Sequence, residues 1–281
     1  MDVVRRIKRA CSQKRVGHGG TLDPLATGVI PVCIGQATRM MEYLLQSRKQ
    51  YLAVIKLGIE TDSYDSDGET VASKDASGIT EEEIFTAVSR FKGKFQQTPP
   101  MYSAIKKDGK RLYNLARAGV QIEREGREVE IHRATIKGWA ATDLLIEIEC
   151  GKGFYVRSLA HDLGQVLGVG GHITKLERTR VGVFSIDQAV SIEEVEETFK
   201  HGVWSDIVQA MDTAVLQLPA IMVQPAAVQM LRNGRRIATS TIAATSTTGL
   251  HRVYGVDGSF IALANFNSDE GVWQPHKVFH S

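Results

Sequence analysis

Val3, Val4, Ile7, Ala10 and Cys11 recur at helical spacing while Arg5, Arg6, Lys8 and Arg9 fill the positions between, so the chain is expected to open inside an amphipathic helix. A glycine-rich segment from Gly17 to Gly28 shows no period. After it, VIPVCIG reads as a short buried strand. Ala37, Met40, Met41, Leu44 and Leu45 mark a second helix, and YLAVIKLGI from Tyr51 is the next strand. Thr80 with Glu83 forms a capping box ahead of IFTAVSRF, and Ser191 with Glu194 repeats the device ahead of VEETF. VEIHRATIKGW and DLLIEIEC alternate as neighbouring strands of one sheet, and Val156, Leu159, Ala160, Leu163 and Leu167 form the apolar stripe of a helix behind it.

Near the end, LQLPAIMVQP interrupts the pattern with two prolines, which places a domain boundary after residue 218 and leaves a tail over 219–281. In that tail Pro225 suits a helix start and Gly234 a helix stop, and RVYGVDGSFIALANF reads as two strands joined by an Asp257-Gly258 turn. Strands mixed with helices, without a regular βαβ rhythm and without an internal repeat, favour an α+β class.

A length of 281 residues suits roughly two domains, and 43% hydrophobic against 23% charged residues excludes disordered and collagen-like chains. No apolar run approaches the roughly 20 residues of a membrane span, and the basic N-terminus lacks a secretory core, so a cytoplasmic protein without a membrane partner is expected. Cys11, Cys33 and Cys150 form no CxxC pair and the eight histidines are scattered, so neither a structural nor a catalytic zinc site is expected.

The net charge of +2 conceals blocks. Residues 1–50 and 92–137 are each +6, and residues 51–91 and 183–222 are each −6. Concentrated basic blocks in a near-neutral chain suit a polyanion on one face, although charge runs are often no more than solvated helix faces.

The segment GHGGTLDPLATG, residues 17–28, is the most unusual chemistry-bearing stretch: four glycines and a proline surround one carboxylate, Asp23, and one imidazole, His18. Glycines there let the backbone approach a ligand closely. The segment is not a phosphate loop, because GxxxxGK[ST] is missing. ETDSYDSDGE echoes a calcium loop, but aligning Asp65, Asp67 and Gly68 to its third, fifth and sixth positions puts Lys74 where a bidentate Glu is required. A glycoside hydrolase would need two opposed carboxylates, and only Asp23 stands out.

GHGGTLDPLATG is similar, nearly residue for residue, to the catalytic signature of the bacterial tRNA pseudouridine synthase B (TruB) family. RKQYLAVIKLGIETDSYDSDG from Arg48, PPMYSAIKKDGKRLYNLARAG from Pro99, GKGFYVRSLAHDLG from Gly151 and HITKLERTRVGVFSIDQA follow in the family's order. The resemblance covers the chain to about residue 190 and implies an α+β pseudouridine synthase, with a mixed, mainly antiparallel sheet and flanking helices. Residues 1–218 would be the catalytic domain, with an RNA-clasping insertion at about 99–127, and 219–281 a small β-rich PUA-like RNA-binding module. It further implies a monomeric isomerase, an intramolecular transferase, that converts uridine 55 in the TψC loop of tRNA to pseudouridine with one ionised carboxylate and neither a metal nor another cofactor.

By the same resemblance Asp23, Arg157 and Tyr51 are the catalytic residues. Asp23 would begin glycosidic cleavage, with the atom it attacks left open; Arg157 would keep it ionised, and Tyr51 would stack on the extruded base and help remove the carbon-5 proton. His18, Tyr155, Leu176, Arg39, Lys106 and Lys110 are the implied substrate-binding residues. His18 would displace the target nucleotide, Tyr155 and Leu176 would line the pocket, and the three basic residues would lie along RNA phosphates. Family members begin with a strand and a Lys-Pro segment that has no counterpart before Met1-Asp2, so an N-terminal segment is expected to be lacking. The alternative expectation is a catalytically impaired tRNA-binding or RNA-folding protein on the same scaffold.

Overall fold

The computed structural model describes residues 2–103, 105–107, 109–117, 119–120, 122–238 and 249–280, with the main chain alone for Asp2, Lys106, Lys107, Lys110, Arg111, Asn114 and Arg117. In chain order the elements begin α1 (Asp2–Ala10), β1 (Val16–His18), β2 (Thr27–Gly28), β3 (Val32–Ile34), a 3-10 turn over Gly35–Met40, α2 (Met41–Gln46), β4 (Lys49–Leu57), β5 (Ile59–Thr61) and β6 (Thr70–Ser73). They continue with α3 (Glu81–Ser89), β7 (Gly93–Gln97), β8 (Lys106–Lys107), β9 (Lys110–Arg111), α4 (Leu112–Arg117), β10 (Arg127–Ala140), β11 (Asp143–Cys150), α5 (Val156–Val166), β12 (Gly171–Val181) and β13 (Phe184–Ser185). The last are α6 (Ile192–His201), β14 (Ala220–Val223), α7 (Pro225–Arg232), β15 (Ile237–Ala238), β16 (Leu250–Gly255), β17 (Phe260–Asn267) and β18 (Val272–Val278).

Two compact units result, and the division is not a single cut in the chain. One unit comprises His18–Pro31 and Leu44–Val190; the other gathers Met1–Gly17, Val32–Tyr43 and Ser191–Ser281. The expected boundary after residue 218 falls two residues before β14, the first strand of the C-terminal sheet, but the compact unit holding that sheet also takes in α1, α6 and the 32–43 segment.

The larger unit is built on a seven-stranded sheet of order β13-β12-β4-β11-β10-β7, with β2 added in parallel to β12 and the other pairings antiparallel. Period-two patterning explains the central strands. In β11 Leu144, Ile146, Ile148 and Cys150 are buried, and in β4 Ala53, Ile55 and Leu57 are. Those side chains pack with Leu159, Ala160 and Leu163 of α5 and with Ile84, Ala87 and Val88 of α3 in one hydrophobic cluster. Tyr51 shares the parity of Ala53, Ile55 and Leu57, so it continues the core face to the start of β4.

The capping box at Thr80 forms as the spacing requires, with Thr80 Oγ1 accepting from Glu83 N (3.3 Å) and Glu83 Oε2 accepting from Thr80 N (2.8 Å). Two expectations need adjustment. VIPVCIG narrows to Val32–Ile34, because Pro31 has no N–H and Val29 N donates to Arg178 O on another strand. YLAVIKLGI breaks at Gly58, whose φ of +92° starts β5 on a new course.

In the smaller unit a five-stranded sheet of order β14-β16-β17-β18-β15 carries α7, whose Ala227 and Leu231 share a hydrophobic cluster with Ile221, Val253 and Trp273 of the strands, and the Asp257-Gly258 turn joins β16 to β17. Basic α1 packs on acidic α6, where Arg6 pairs with Glu196 (2.6 Å) and Glu193 (3.0 Å). Part of the first basic block is therefore used inside the fold.

The end of α5 is unusually tight. A Cβ built on Gly164 would lie 2.2 Å from the main chain of Gly170 and Gly171, where the chain turns from the helix into β12. Gly164→Ala should therefore lower stability by about 1–3 kcal/mol in urea unfolding, because main chain has to move; an unchanged midpoint would show that the turn is not held this closely.

Candidate active site

Helix α5 starts without a side-chain cap of its own, and the orphaned groups at its head are met from β7. Gln97, 1% exposed, accepts from Tyr155 N through Oε1 (2.9 Å) and donates to Tyr155 O through Nε2 (3.0 Å). Ser158 Oγ donates to Thr98 O (2.7 Å). These ties fix the first turn, whose second residue is Arg157.

Arg157 is 2% exposed and its guanidinium is fully engaged. Nε donates to Asp23 Oδ2 (2.9 Å) and Nη2 to Asp23 Oδ1 (2.7 Å), the bidentate fork that suits arginine to a carboxylate. Nη2 also meets Tyr102 O (2.9 Å), while Nη1 donates to Asp65 Oδ2 (3.2 Å) and Ser63 O (3.4 Å). One buried cation thus serves two carboxylates of different character. Asp65 is 4% exposed, and its other oxygen accepts from Ser63 Oγ (2.5 Å) and Asp67 N (3.1 Å). Asp23 is 29% exposed, open to a ligand.

Asp65 follows Tyr64, a non-glycine residue at φ +65°. Such a conformation costs energy and persists only where the surroundings impose it. Here the Tyr64 ring stacks on His161, one turn along α5 from Arg157, with centroids 4.0 Å apart and planes at 15°. Tyr64 O also accepts from Ile173 N (3.0 Å). The same helix face therefore holds Arg157 and braces the turn that aims Asp65 at it.

Asp23 lies on the glycine-rich segment, where Gly28 is required by close approach. Its φ is +100°, and a Cβ there would sit 2.3 Å from Arg178 O, because β2 docks against β12 at Glu177 and Arg178. Beside Asp23 opens a cleft of about 80 Å³, also lined by Tyr51, Tyr155, Leu176, Phe154 and Ala26. Burial pushes the Tyr51 hydroxyl up to about 12, with the Arg178 guanidinium pulling the other way, and burial also raises Tyr155.

Five residues singled out in the sequence, Asp23, Arg157, Tyr51, Tyr155 and Leu176, therefore meet at one place. The remainder are not brought there. His18 Nδ1 accepts from Gly20 N (3.4 Å) and is not among the cleft residues. Arg39 belongs to the other compact unit, where Nη1 donates to Val278 O and the guanidinium carbon lies 4.8 Å over the Phe279 ring. Lys106 and Lys110 lie on the two-stranded β8–β9 hairpin, and their side chains are outside the described residues. Among the described residues no three His, Cys, Asp or Glu side chains are grouped to hold a metal ion, and no helix is long and apolar enough to cross a membrane.

Residues 8–156 match the TruB family pseudouridylate synthase N-terminal domain. The chain belongs to the TruB family. Residues 157–216 match the tRNA pseudouridylate synthase B C-terminal domain. A tRNA pseudouridine synthase B from Dehalococcoides mccartyi is 42% identical over 278 residues, 99% of this chain and 91% of that protein. Its counterpart from Clostridium tetani is 40% identical over 263 residues, 93% of this chain and 89% of that protein. The solved structure of a Cbf5-Nop10-Gar1 complex contains a chain similar to this one with a TM-score of 0.76 and 27% identity, covering 99% of this chain and 80% of that one. The α+β class and the C-terminal β module of this TruB-family chain agree with that likeness.

Two residues of the site carry no clear signal in the sequence. Asp65 lies in the segment that fails as a calcium loop, and its acidic neighbours disguise it. Gln97 has no chemical signature, and only its burial and paired hydrogen bonds identify it.

The Tyr51 hydroxyl supplies a pH test. Its folded value of about 12 exceeds the ordinary value near 10, so the unfolded chain releases the proton first as pH rises. The stabilisation is complete below about pH 10 and lost towards 12. Denaturant unfolding should show wild type losing stability across that window relative to Tyr51→Phe; parallel curves would place the hydroxyl in a more solvated setting.

Proposed function

We propose that this chain isomerises uridine 55 in the TψC loop of tRNA to pseudouridine. The observation that carries the reading is the bidentate Asp23–Arg157 pair opening on a cleft lined by two tyrosines and Leu176. The reaction breaks the bond from ribose C1′ to uracil N1 and forms one from C1′ to C5, and the C5 proton leaves as N1 gains one. Atoms balance without an oxidant, a reductant or a second substrate.

A stacked uridine hides C1′, N1 and C5 from a side chain, so the nucleotide is turned out into the cleft and held by apolar and aromatic contacts. Tyr51 and Tyr155 offer the rings and Leu176 the apolar wall. Asp23, partly exposed and fixed by the Arg157 fork, acts as the carboxylate that begins glycosidic cleavage. Arg157 favours its ionised form by charge and hydrogen bonding and orients both oxygens. A Tyr51 hydroxyl pushed up to about 12 is a neutral phenol at pH 7, suited to stacking and to relaying the C5 proton and unsuited to act as a standing phenolate base. The names of its relatives specify tRNA, and the +6 block over 92–137 supplies the charge that a phosphate backbone requires.

Asp23→Asn should reduce pseudouridine formation on unmodified tRNA transcript below detection while leaving tRNA affinity within a few-fold. Retained turnover would remove Asp23 from the reaction, and binding without turnover in the wild type would favour an RNA-folding protein. Asp65→Asn should lower the single-turnover rate by about 100-fold through loss of the Arg157 orientation; an unaltered rate would make Asp65 a structural partner only. Charge reversal at Lys106 and Lys110 should weaken tRNA binding and flatten its logarithmic salt dependence by about 0.9 for each phosphate no longer neutralised. Affinity indifferent to both changes would move the RNA-binding surface elsewhere.

A further inference from the structure

Arg178 is 1% exposed, one of the largest fully buried side chains of the protein, and the proposed reaction gives it no role. Among the described residues no carboxylate pairs with it. Its charge is met by three main-chain carbonyls: Nε donates to Val29 O (2.7 Å), Nη2 to Gly20 O (3.0 Å) and Nη1 to Thr21 O (3.2 Å). A buried cation without a counter-ion is expensive unless its donors are satisfied, and the rigid guanidinium fork meets all three acceptors at once.

The placement of those carbonyls is specific. Gly20 and Thr21 precede Asp23 by three and two residues, and Val29 follows it by six. One guanidinium therefore closes both ends of the arc that carries the carboxylate. The arc's main chain is tied to the same residue, since Val29 N donates to Arg178 O (2.8 Å) and Gly28 pairs with Arg178 in the β2–β12 ladder. Gly20 lies beside the guanidinium at φ +138°, a backbone conformation that favours glycine. Arg178 is also the cross-strand partner of Tyr51 between β12 and β4. The arc bearing Asp23 and the strand bearing Tyr51 are thus referred to one residue, as Asp23 and Asp65 are referred to Arg157.

We propose that Arg178 is a positioning residue for pseudouridine formation: it fixes the 20–29 arc so that Asp23 meets the Arg157 fork at the cleft, without touching the substrate itself. This rests on the assignment of Asp23 to the reaction, so the test has one arm that needs no activity. Full-length wild type, Arg178→Met and Arg178→Lys are compared by amide hydrogen exchange and by single-turnover pseudouridine formation at saturating tRNA transcript.

The expected result is exchange at least 10-fold faster at the Gly19, Ala26 and Val29 amides, with the β4–β11 ladder still protected. The rate should fall at least 100-fold in Arg178→Met and about 10-fold in Arg178→Lys, with tRNA Kd within 3-fold of wild type. Methylguanidinium should restore part of the rate to Arg178→Ala, which a general loss of stability would not allow. Should Arg178→Met fail to fold, Arg178→Lys carries the same comparison. A folded variant with wild-type loop exchange and a rate within 3-fold of wild type overturns the inference. A wild type that makes no pseudouridine overturns the functional reading instead, and loop protection unchanged between wild type and Arg178→Lys still overturns the role of Arg178.

Discussion

A carboxylate on a glycine-rich segment has little of its own to hold it, and a solvated carboxylate in such a place would sample many orientations. The fork of Arg157 removes that freedom. It grips both oxygens of Asp23 while burial strips the guanidinium of water, so the pair is oriented without being sealed from a ligand. The cost of burying the arginine is met by Asp65 and two main-chain carbonyls, and the Gln97 ties to Tyr155 set the helix start from which it projects.

The sheet contributes the other half. Tyr51 occupies a position whose parity belongs to the hydrophobic core, yet it stands where that core ends, so an inward-facing side chain becomes part of a cleft wall. Leu176 stands on β12 beside β4, while Phe154 and Tyr155 come from the approach to α5. The cleft is accordingly a gap at the margin of a packed interior, which explains how it combines apolar walls with one charged residue at its edge. Strands and the start of α5 supply Tyr51, Leu176 and Val156, and the irregular segment carrying Asp23 is held by two buried arginines, Arg157 and Arg178.

Much of this is legible in the chain. Periodicity locates β4, β10, β11 and α5, and the capping residues locate α3 and α6, because those signals depend on local chemistry. The family resemblance names Asp23, Arg157, Tyr51, Tyr155 and Leu176; four of them line one cleft, and Arg157 is held against Asp23 behind it. Asp65, Gln97 and Arg178 are not legible, since their importance lies in what they touch across 58 to 158 residues of chain. Arg39 adds a contact that the basic block does not announce: its guanidinium donates to Val278 O within its own compact unit. Likewise the two compact units interleave along the chain, and a linear reading can only cut it once.

The most direct measurement is chemical mapping of pseudouridine along an unmodified tRNA transcript after incubation with the full-length protein and no added metal or cofactor. A single new pseudouridine at position 55 is the expected result. A transcript bound by the protein yet carrying uridine at that position would contradict the assignment of Asp23 and its cleft to glycosidic isomerisation.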